Sequence, residues 1–400
     1  MDAISAKGDR LTLTLGHYAH QILHKLYRRI VKFEVEVYRD TDPEPLHQMR
    51  VGMRRLRTAL HVFQGVAHLP TGADDKAIRK FGKTLGTLRD LDVLSDRLRH
   101  DYRPALFPVE QRELDKSLKK LAKQRKTALK RVRKTLRGKH YKHFKRSFQA
   151  WLDAPIYGTV AGLSLRQGWP DVVQPITQRV LLHPAWMIDT EGSPEGDRVA
   201  KPETAGQVSH ASALLLHDLR KCIKQQRYQM EFFIDLYDHP DQLEGWKTLQ
   251  DCLGQLQDGA VIRDFLRKTL GRHWDKLVPN LVQRLTVDEQ AARQEWRSLQ
   301  PHYLDWQVRQ SLRQVSKERS GYQLSGALNG MPDGVPDGVQ NEVPGGVPDG
   351  VQNEVPGGVS NGVSNGVPDG ISNGVSDGAS EPEHLQAPSD ESSTLHPSSL

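Results

Sequence analysis

Two segments hold the side chains best suited to chemistry, and they resemble each other. The first is His47-Gln-Met-Arg50-Val-Gly-Met-Arg54-Arg55-Leu-Arg57-Thr-Ala-Leu60-His61-Val-Phe63. The second, 170 residues later, is His217-Asp-Leu-Arg220-Lys-Cys-Ile-Lys224-Gln-Gln-Arg227-Tyr-Gln-Met230-Glu231-Phe-Phe233. Arginine offers a planar fork that grips phosphate through two N–H donors, lysine a point charge, and histidine a donor that titrates near neutrality. At 100° per residue, His47, Arg50, Arg54, Arg57 and His61 fall within about an 80° arc of a helix. Leu46, Met49, Met53, Leu56, Leu60 and Phe63 form an apolar stripe beside that arc, not opposite it. His217, Arg220, Lys224 and Arg227 sit in the same way beside Leu216, Leu219, Ile223 and Met230. Cations at the edge of a core are costly unless something compensates them. The pattern therefore implies a wet, anion-filled space between two such helices. Glu231 replaces His61 and is expected to pair with a neighbouring cation.

A second duplicated block follows each of these. Leu85-Gly86-Thr-Leu88-Arg-Asp90-Leu-Asp92-Val93 matches Leu253-Gly254-Gln-Leu256-Gln-Asp258-Gly-Ala260-Val261. Its carboxylates could act as general bases or magnesium ligands. The commoner role is to pair with an arginine of the next helix and orient it. Asp92 has no acidic counterpart, since Ala260 takes its place.

Residues 116–146 contain fifteen Lys or Arg and no acid. Leu114, Leu118, Leu121, Ala128, Val132 and Leu136 form one apolar stripe. Lys119, Lys123, Lys126, Lys130 and Lys134 face away from it and make an amphipathic helix with a cationic face. Like charges at this density repel one another, so a polyanionic acceptor is expected. Arg125 falls within the apolar stripe, which implies a wet cavity or a buried partner.

Other candidates carry less. His17, His20 and His24 share a helix face, but no acidic or Cys partner stands near, so packing or surface roles are expected rather than metal. Each of His47 and His217 lies among cations that oppose a metal ion. Gly192-Ser-Pro-Glu-Gly196 lacks the lysine and strand context of a phosphate loop. No Ser/His/Asp signature or nucleophile elbow is present. We expect no catalytic residue, no metal and no cofactor, hence a binding protein and not an enzyme.

Helices must position these groups. Apolar spacings of three and four predict helices at about 10–39, 45–68, 74–101 and 108–151, the last with a break near Gly138. A short helix, Asp171 to Leu182, follows; residues 184–206 read as an exposed loop, and helices resume at 209–238, 241–270 and 285–317. The duplication divides the body at about 9–153 and 154–319. The last 81 residues hold eleven acids and no Lys or Arg, so a chain of net charge +7 has a body of +18. In this tail the twelve-residue unit 335–346 recurs at 347–358. One Val in four residues cannot repay chain entropy, so the tail, 320–400, is expected to be disordered. Its acids could also fold back on the basic body. There is no run of 18 apolar residues, no secretory leader pattern, and only Cys222 and Cys252, which points to a cytoplasmic protein with polyanionic partners.

The motifs His-x-x-Arg-Val-x-x-Arg-Arg-Leu-Arg, Leu-Gly-x-x-Arg-Asp-x-Asp-Val and His-x-x-Arg-Lys-x-x-Lys-x-x-Arg-Tyr-x-x-Glu resemble the CHAD family, the conserved histidine α-helical domain, from about residue 10 to 317. The resemblance implies an all-α fold of two pseudo-symmetric, fused four-helix bundles around a basic groove or pore. It also implies binding of inorganic polyphosphate, with recruitment to polyphosphate granules in some members. Carried over by position, the ligand-facing residues would be His47, Arg50, Arg54, Arg57, His217, Arg220, Lys224 and Arg227. His61 and the cationic face, Lys119, Lys123, Arg125, Lys126, Lys130 and Lys134, complete the candidate set. Two competing readings remain: a nucleic-acid binder on the same surfaces, and an accessory to an enzyme that hydrolyses polyphosphate or triphosphate. Against the first, no aromatic interleaves with the basic arc as a stacking platform.

Overall fold

The computed structural model describes residues 13–192, 198–200, 210–236 and 242–313. The expected disordered tail, and with it any fold-back of its acids, lies outside these residues. Twelve α-helices are seen among the described residues. They are α1 Leu15–Lys32, α2 Glu34–Arg39, α3 Glu44–Val62, α4 Asp75–Arg97, α5 Pro108–Arg137 and α6 Lys139–Asp153, then α7 Leu165–Leu181, α8 His210–Phe232, α9 Gln242–Leu270, α10 Trp274–Leu277, α11 Pro279–Leu304 and α12 Trp306–Arg313. The only strands among them, Thr190–Gly192 and Arg198–Ala200, pair as one antiparallel hairpin. The described residues are all-α apart from this hairpin. No described helix is long and apolar enough to cross a membrane.

Local chemistry sets the helix starts. The Thr14 hydroxyl accepts from the His17 amide to open α1, and the Asp74 carboxylate accepts from the Ala77 amide to open α4. Several boundaries differ from the sequence reading, among them the last expected helix, 285–317, which starts at Pro279 and breaks at Asp305. The long first helix breaks at Phe33 into α1 and α2, and α2 ends at Asp40 in the left-handed region (φ 60°). α7 begins at Leu165 and runs through Pro170 and Pro175. Each interior proline costs about 3 kcal/mol, and burial of Leu165, Trp169, Val173, Ile176 and Val180 offsets it. The stretch after residue 184 is not wholly exposed either: Trp186 is buried and stacks on Trp296 and Tyr303. α5 does break at Gly138, as expected.

The helices form two sets of four in the same order. α1 packs on α3, α3 on α4 and α4 on α5; α7 packs on α8, α8 on α9 and α9 on α11. Across the sets α3 meets α8 and α5 meets α9. The halves do not keep separate cores. One apolar cluster takes in α1, α3, α6, α7 and α8 together, and a second joins the ends of α4 and α5 to α9, α10 and α11.

At one end Phe233 holds the halves together, with ring centroids 5.3 Å from Tyr18, 5.8 Å from Phe63 and 5.8 Å from Trp169. At the other end polar contacts do so. Tyr102 Oη donates to Asp288 (2.9 Å), the Ser117 and Thr269 hydroxyls meet at 2.8 Å, and Glu110 accepts from the backbone and side-chain nitrogens of Asn280 (3.0 and 2.8 Å).

Candidate functional site

The duplicated blocks lie on α3 and α4 in the first half and on α8 and α9 in the second. On α3, His47 and Arg50 are buried. Arg50 Nη2 faces Asp90 Oδ1 of α4 at 3.4 Å, with both side chains under a tenth exposed. Gly86 lies one turn before Asp90, and a Cβ at Gly86 would come within 3.2 Å of Arg50 Nε. The Leu-Gly-x-x-x-Asp motif thus does two things: the glycine leaves room for the guanidinium and the carboxylate meets its charge.

The second half repeats the first part of this. A Cβ at Gly254 would come within 2.8 Å of Arg220 Nη2, closer than such contacts occur. The carboxylate is assigned differently. Asp258 takes its hydrogen bond from Arg97, at the end of α4 in the other half. Arg220 instead donates from Nε to the Gln250 carbonyl (3.4 Å). Burial pushes the Asp258 pKa up to about 7, against the opposing charges of Arg97, Arg220 and Lys224. Burial likewise raises Asp251, against Arg227 and Arg220.

Where α3 meets α8, three guanidinium groups surround one ring. Arg54, Arg55 and Arg227 lie 5.9, 5.4 and 5.2 Å from the centroid of the buried Tyr228. Glu231 bonds two of them, Arg55 through Oε2 (2.6 Å) and Arg227 through Oε1 (3.3 Å). The substitution of Glu231 for a second His61 therefore creates an ion pair between the halves. Sequence reasoning named Arg54, Arg227 and the pairing of Glu231. It did not single out Arg55 and Tyr228, whose signal was their fixed place in the duplicated motifs.

Not every residue of the basic arc joins this junction. Arg57 Nε binds Asp75 Oδ1 at the start of α4 (2.6 Å), and His61 Nε2 lies 3.5 Å from the same oxygen. Both are partly exposed and brace α3 on α4. Lys224 and His217 are half-buried on α8. The carboxylates of the second blocks and Glu231 pair with arginines, as the sequence reading expected, and with Asp75 they supply counter-charge inside the protein beside any bound anion.

The α5 stripe is buried as predicted, and Lys119, Lys123, Lys126, Lys130 and Lys134 are exposed opposite it. Arg125 does not join them. Its Nη atoms bind both oxygens of Asp40 (2.8 Å each) and its Nε binds Asp92 (2.6 Å), the buried-partner alternative of the sequence reading. Burial raises the Asp92 pKa against Arg125. With Ala260 at the corresponding place, the second half uses Arg263 of α9 and Glu289 of α11 (2.5 Å).

His17, His20 and His24 do not converge on one point: His17 meets Gln21, and His20 meets the Leu152 carbonyl at 2.8 Å. Sequence reasoning overlooked another group, His183, Asp218 and Cys222, whose ligand-type atoms lie within 4.8 Å of one another. His183 Nδ1 accepts from the Ala185 amide, so in the neutral ring the hydrogen sits on Nε2, 3.2 Å from Asp218. The bond from His183 lowers the Asp218 pKa, and burial pushes the Cys222 thiol up to about 11. The arrangement is a hydrogen-bonded His–Asp pair beside a protonated thiol.

The family model described as the CHAD domain matches residues 21–267. The chain belongs to the CHAD family. A crystal structure of the CHAD domain from the plant Ricinus communis matches with a TM-score of 0.48 and 25% identity, covering 76% of this chain and 94% of that one. PptA from Streptomyces chartreusis matches with a TM-score of 0.52 and 14% identity, covering 72% of this chain and 99% of that one, a likeness of fold. A comparison with curated proteins gives no match. The CHAD match ends inside α9, whereas α11 packs along that helix and completes the second set of four.

Proposed function

We propose that this CHAD protein binds inorganic polyphosphate without turning it over, gripping the chain with cations of α3 and α8. The observation that carries this reading is the crowding of Arg54, Arg55 and Arg227, from both halves, around Tyr228. Among the described residues, Glu231 bonds two of these groups, Arg55 and Arg227. Like charges held this close repel one another, and a bound polyanion relieves the repulsion while releasing its own counterions. Forks of arginine and points of lysine suit a polymer that has charge at every unit and no bases to read. Membership of the CHAD family supports the same ligand, and association with polyphosphate granules in the cell would follow from it.

The test is a titration with labelled polyphosphate, competed with single- and double-stranded DNA across a salt series. Polyphosphate should win and should persist near physiological salt. The double variant Arg54→Glu, Lys224→Glu should lose at least tenfold in affinity with helicity intact. Retained affinity in that variant would place the ligand elsewhere, and equal competition by DNA would favour a generic basic surface. Release of orthophosphate with Mg²⁺ present would replace the non-catalytic reading with a hydrolase or its accessory.

A further inference from the structure

We propose a second site for the phosphate polymer on the outer face of α5 and α6, centred on Lys139, Lys142 and Arg146. The proposal rests on the polyphosphate reading above and extends it to a surface remote in sequence from both duplicated blocks.

A cavity of about 430 Å³ opens there, and its lining residues are all cations: Lys139, Lys142, Lys145 and Arg146. Lys145 is neutralised, since its Nζ binds both oxygens of Glu34 (2.7 and 2.9 Å). Lys139, Lys142 and Arg146 are exposed and make no ion pair among the described residues. They stand within about a 60° arc of α6 at 100° per residue. Among the described residues, three positive charges on the cavity walls therefore have no ion-pair partner.

In the sequence, a row of lysines on α5 leads up to this cavity. Lys119, Lys123, Lys126, Lys130 and Lys134 lie exposed on one face of α5, which ends at Arg137, two residues before Lys139. The row spans about 22 Å at 1.5 Å per residue. The neighbouring arginines serve another purpose. Arg133 donates to the Tyr38 carbonyl (2.8 Å) and the Arg137 guanidinium lies 4.1 Å over the Tyr38 ring, so both hold α2. The lysines of the row and the three cations of the cavity have no such structural task.

The chemistry of the ligand follows from what is missing beside these charges. The Tyr, Phe and Trp rings of α6, Tyr141, Phe144, Phe148 and Trp151, are all buried, and its exposed rings are the imidazoles of His140 and His143. The exposed face of α5 carries none. A nucleic acid would find phosphate contacts but, beyond two imidazoles, no Tyr, Phe or Trp platform on which to stack its bases. A linear polymer of phosphate needs only spaced cations. A chain long enough to occupy both this shelf and the α3–α8 junction would bind bivalently, and a short one would not.

The test uses the full chain with Lys139→Gln, Lys142→Gln and Arg146→Gln combined, substitutions at exposed positions that leave the cores intact. Binding of long-chain polyphosphate and of tripolyphosphate is measured over a salt series. Long-chain affinity should fall about tenfold in low salt. The slope of log affinity against log salt should flatten by about 2, on a scale of about 0.7 per contact. Tripolyphosphate binding should hold within twofold. Unchanged long-chain affinity would overturn the shelf while leaving the junction reading intact. An equal loss for a single-stranded DNA oligonucleotide would overturn the assignment to a phosphate polymer. If Arg54→Glu, Lys224→Glu retains long-chain binding that the triple variant loses, the junction reading fails and the shelf stands.

Discussion

Arg220 lies across Gly254, so close that a Cβ there would come within 2.8 Å of Nη2 and 3.3 Å of Cζ. Arg50 lies in the same way across Gly86, at 3.2 Å from Nε. In each half a glycine on one helix makes the bed for a buried guanidinium from the next. The two members of each duplicated pair of blocks are thus parts of one device, and their shared order in the sequence has a steric cause.

Gly254→Ala tests this. Alanine favours a helix interior by about 1 kcal/mol over glycine, and the atom it would strike is the end of a side chain that can turn aside. Stability should therefore change by less than about 1 kcal/mol, while Arg220 is displaced. Polyphosphate affinity should fall severalfold, and less for Gly86→Ala, where the contact is looser. Chemical denaturation and a binding titration on the same preparations check both halves of the prediction.

Glu231 bonds Arg55 and Arg227 across the junction of the halves. Glu231→Gln removes the charge and keeps the shape. It leaves three guanidinium groups around Tyr228 with less compensation, so stability should fall by about 2–4 kcal/mol. Affinity for polyphosphate should rise, because the polymer then meets charge that Glu231 had satisfied. Denaturant midpoints and titrations should move in opposite directions.

The all-α fold, the duplication and the basic blocks were legible because helical periodicity and repetition are local properties of a chain. Which neighbour each cation meets was not. Arg57 and His61 share a helical arc with Arg50 and Arg54, yet they turn to Asp75, because a helical wheel gives direction and not the elements that approach from it. The bond from Arg97 to Asp258 joins residues 161 apart and has no signal in either block. The break at Phe33 has no glycine or proline to mark it, and α7 runs through two prolines because buried apolar side chains outweigh them. Arg125 was readable as anomalous, but its partner Asp40 caps the end of a helix that the sequence pattern merges with the one before.

Arg125 separates a structural role from a binding one. It ties α5 to α2 through Asp40 and to α4 through Asp92, and is itself about a third exposed. Arg125→Ala leaves two carboxylates without their partner. After discounting for exposure, stability should fall by about 1–3 kcal/mol. Polyphosphate affinity, measured well below the melting transition, should hold within twofold. A loss as large as that from the α3–α8 variants would return Arg125 to the binding set.

Asp258 makes stability depend on pH in a definite direction. Its folded pKa is pushed up to about 7 by burial, above the ordinary carboxylate value of 3.8 that the unfolded chain retains. Between these values the folded state holds the proton more tightly than the unfolded state. The contribution to stability is complete below about pH 4 and is lost as pH rises through 7, with a slope of at most about 1.4 kcal/mol per pH unit. Asp258→Asn lacks the titration. The stability of the native chain relative to that variant should therefore decline from pH 4 to pH 7 and level off above. Urea denaturation of both proteins at half-unit steps of pH measures the difference directly. A flat difference across that window would mean that Arg97 keeps the carboxylate ionised throughout, so that the ion pair between the halves outweighs its burial.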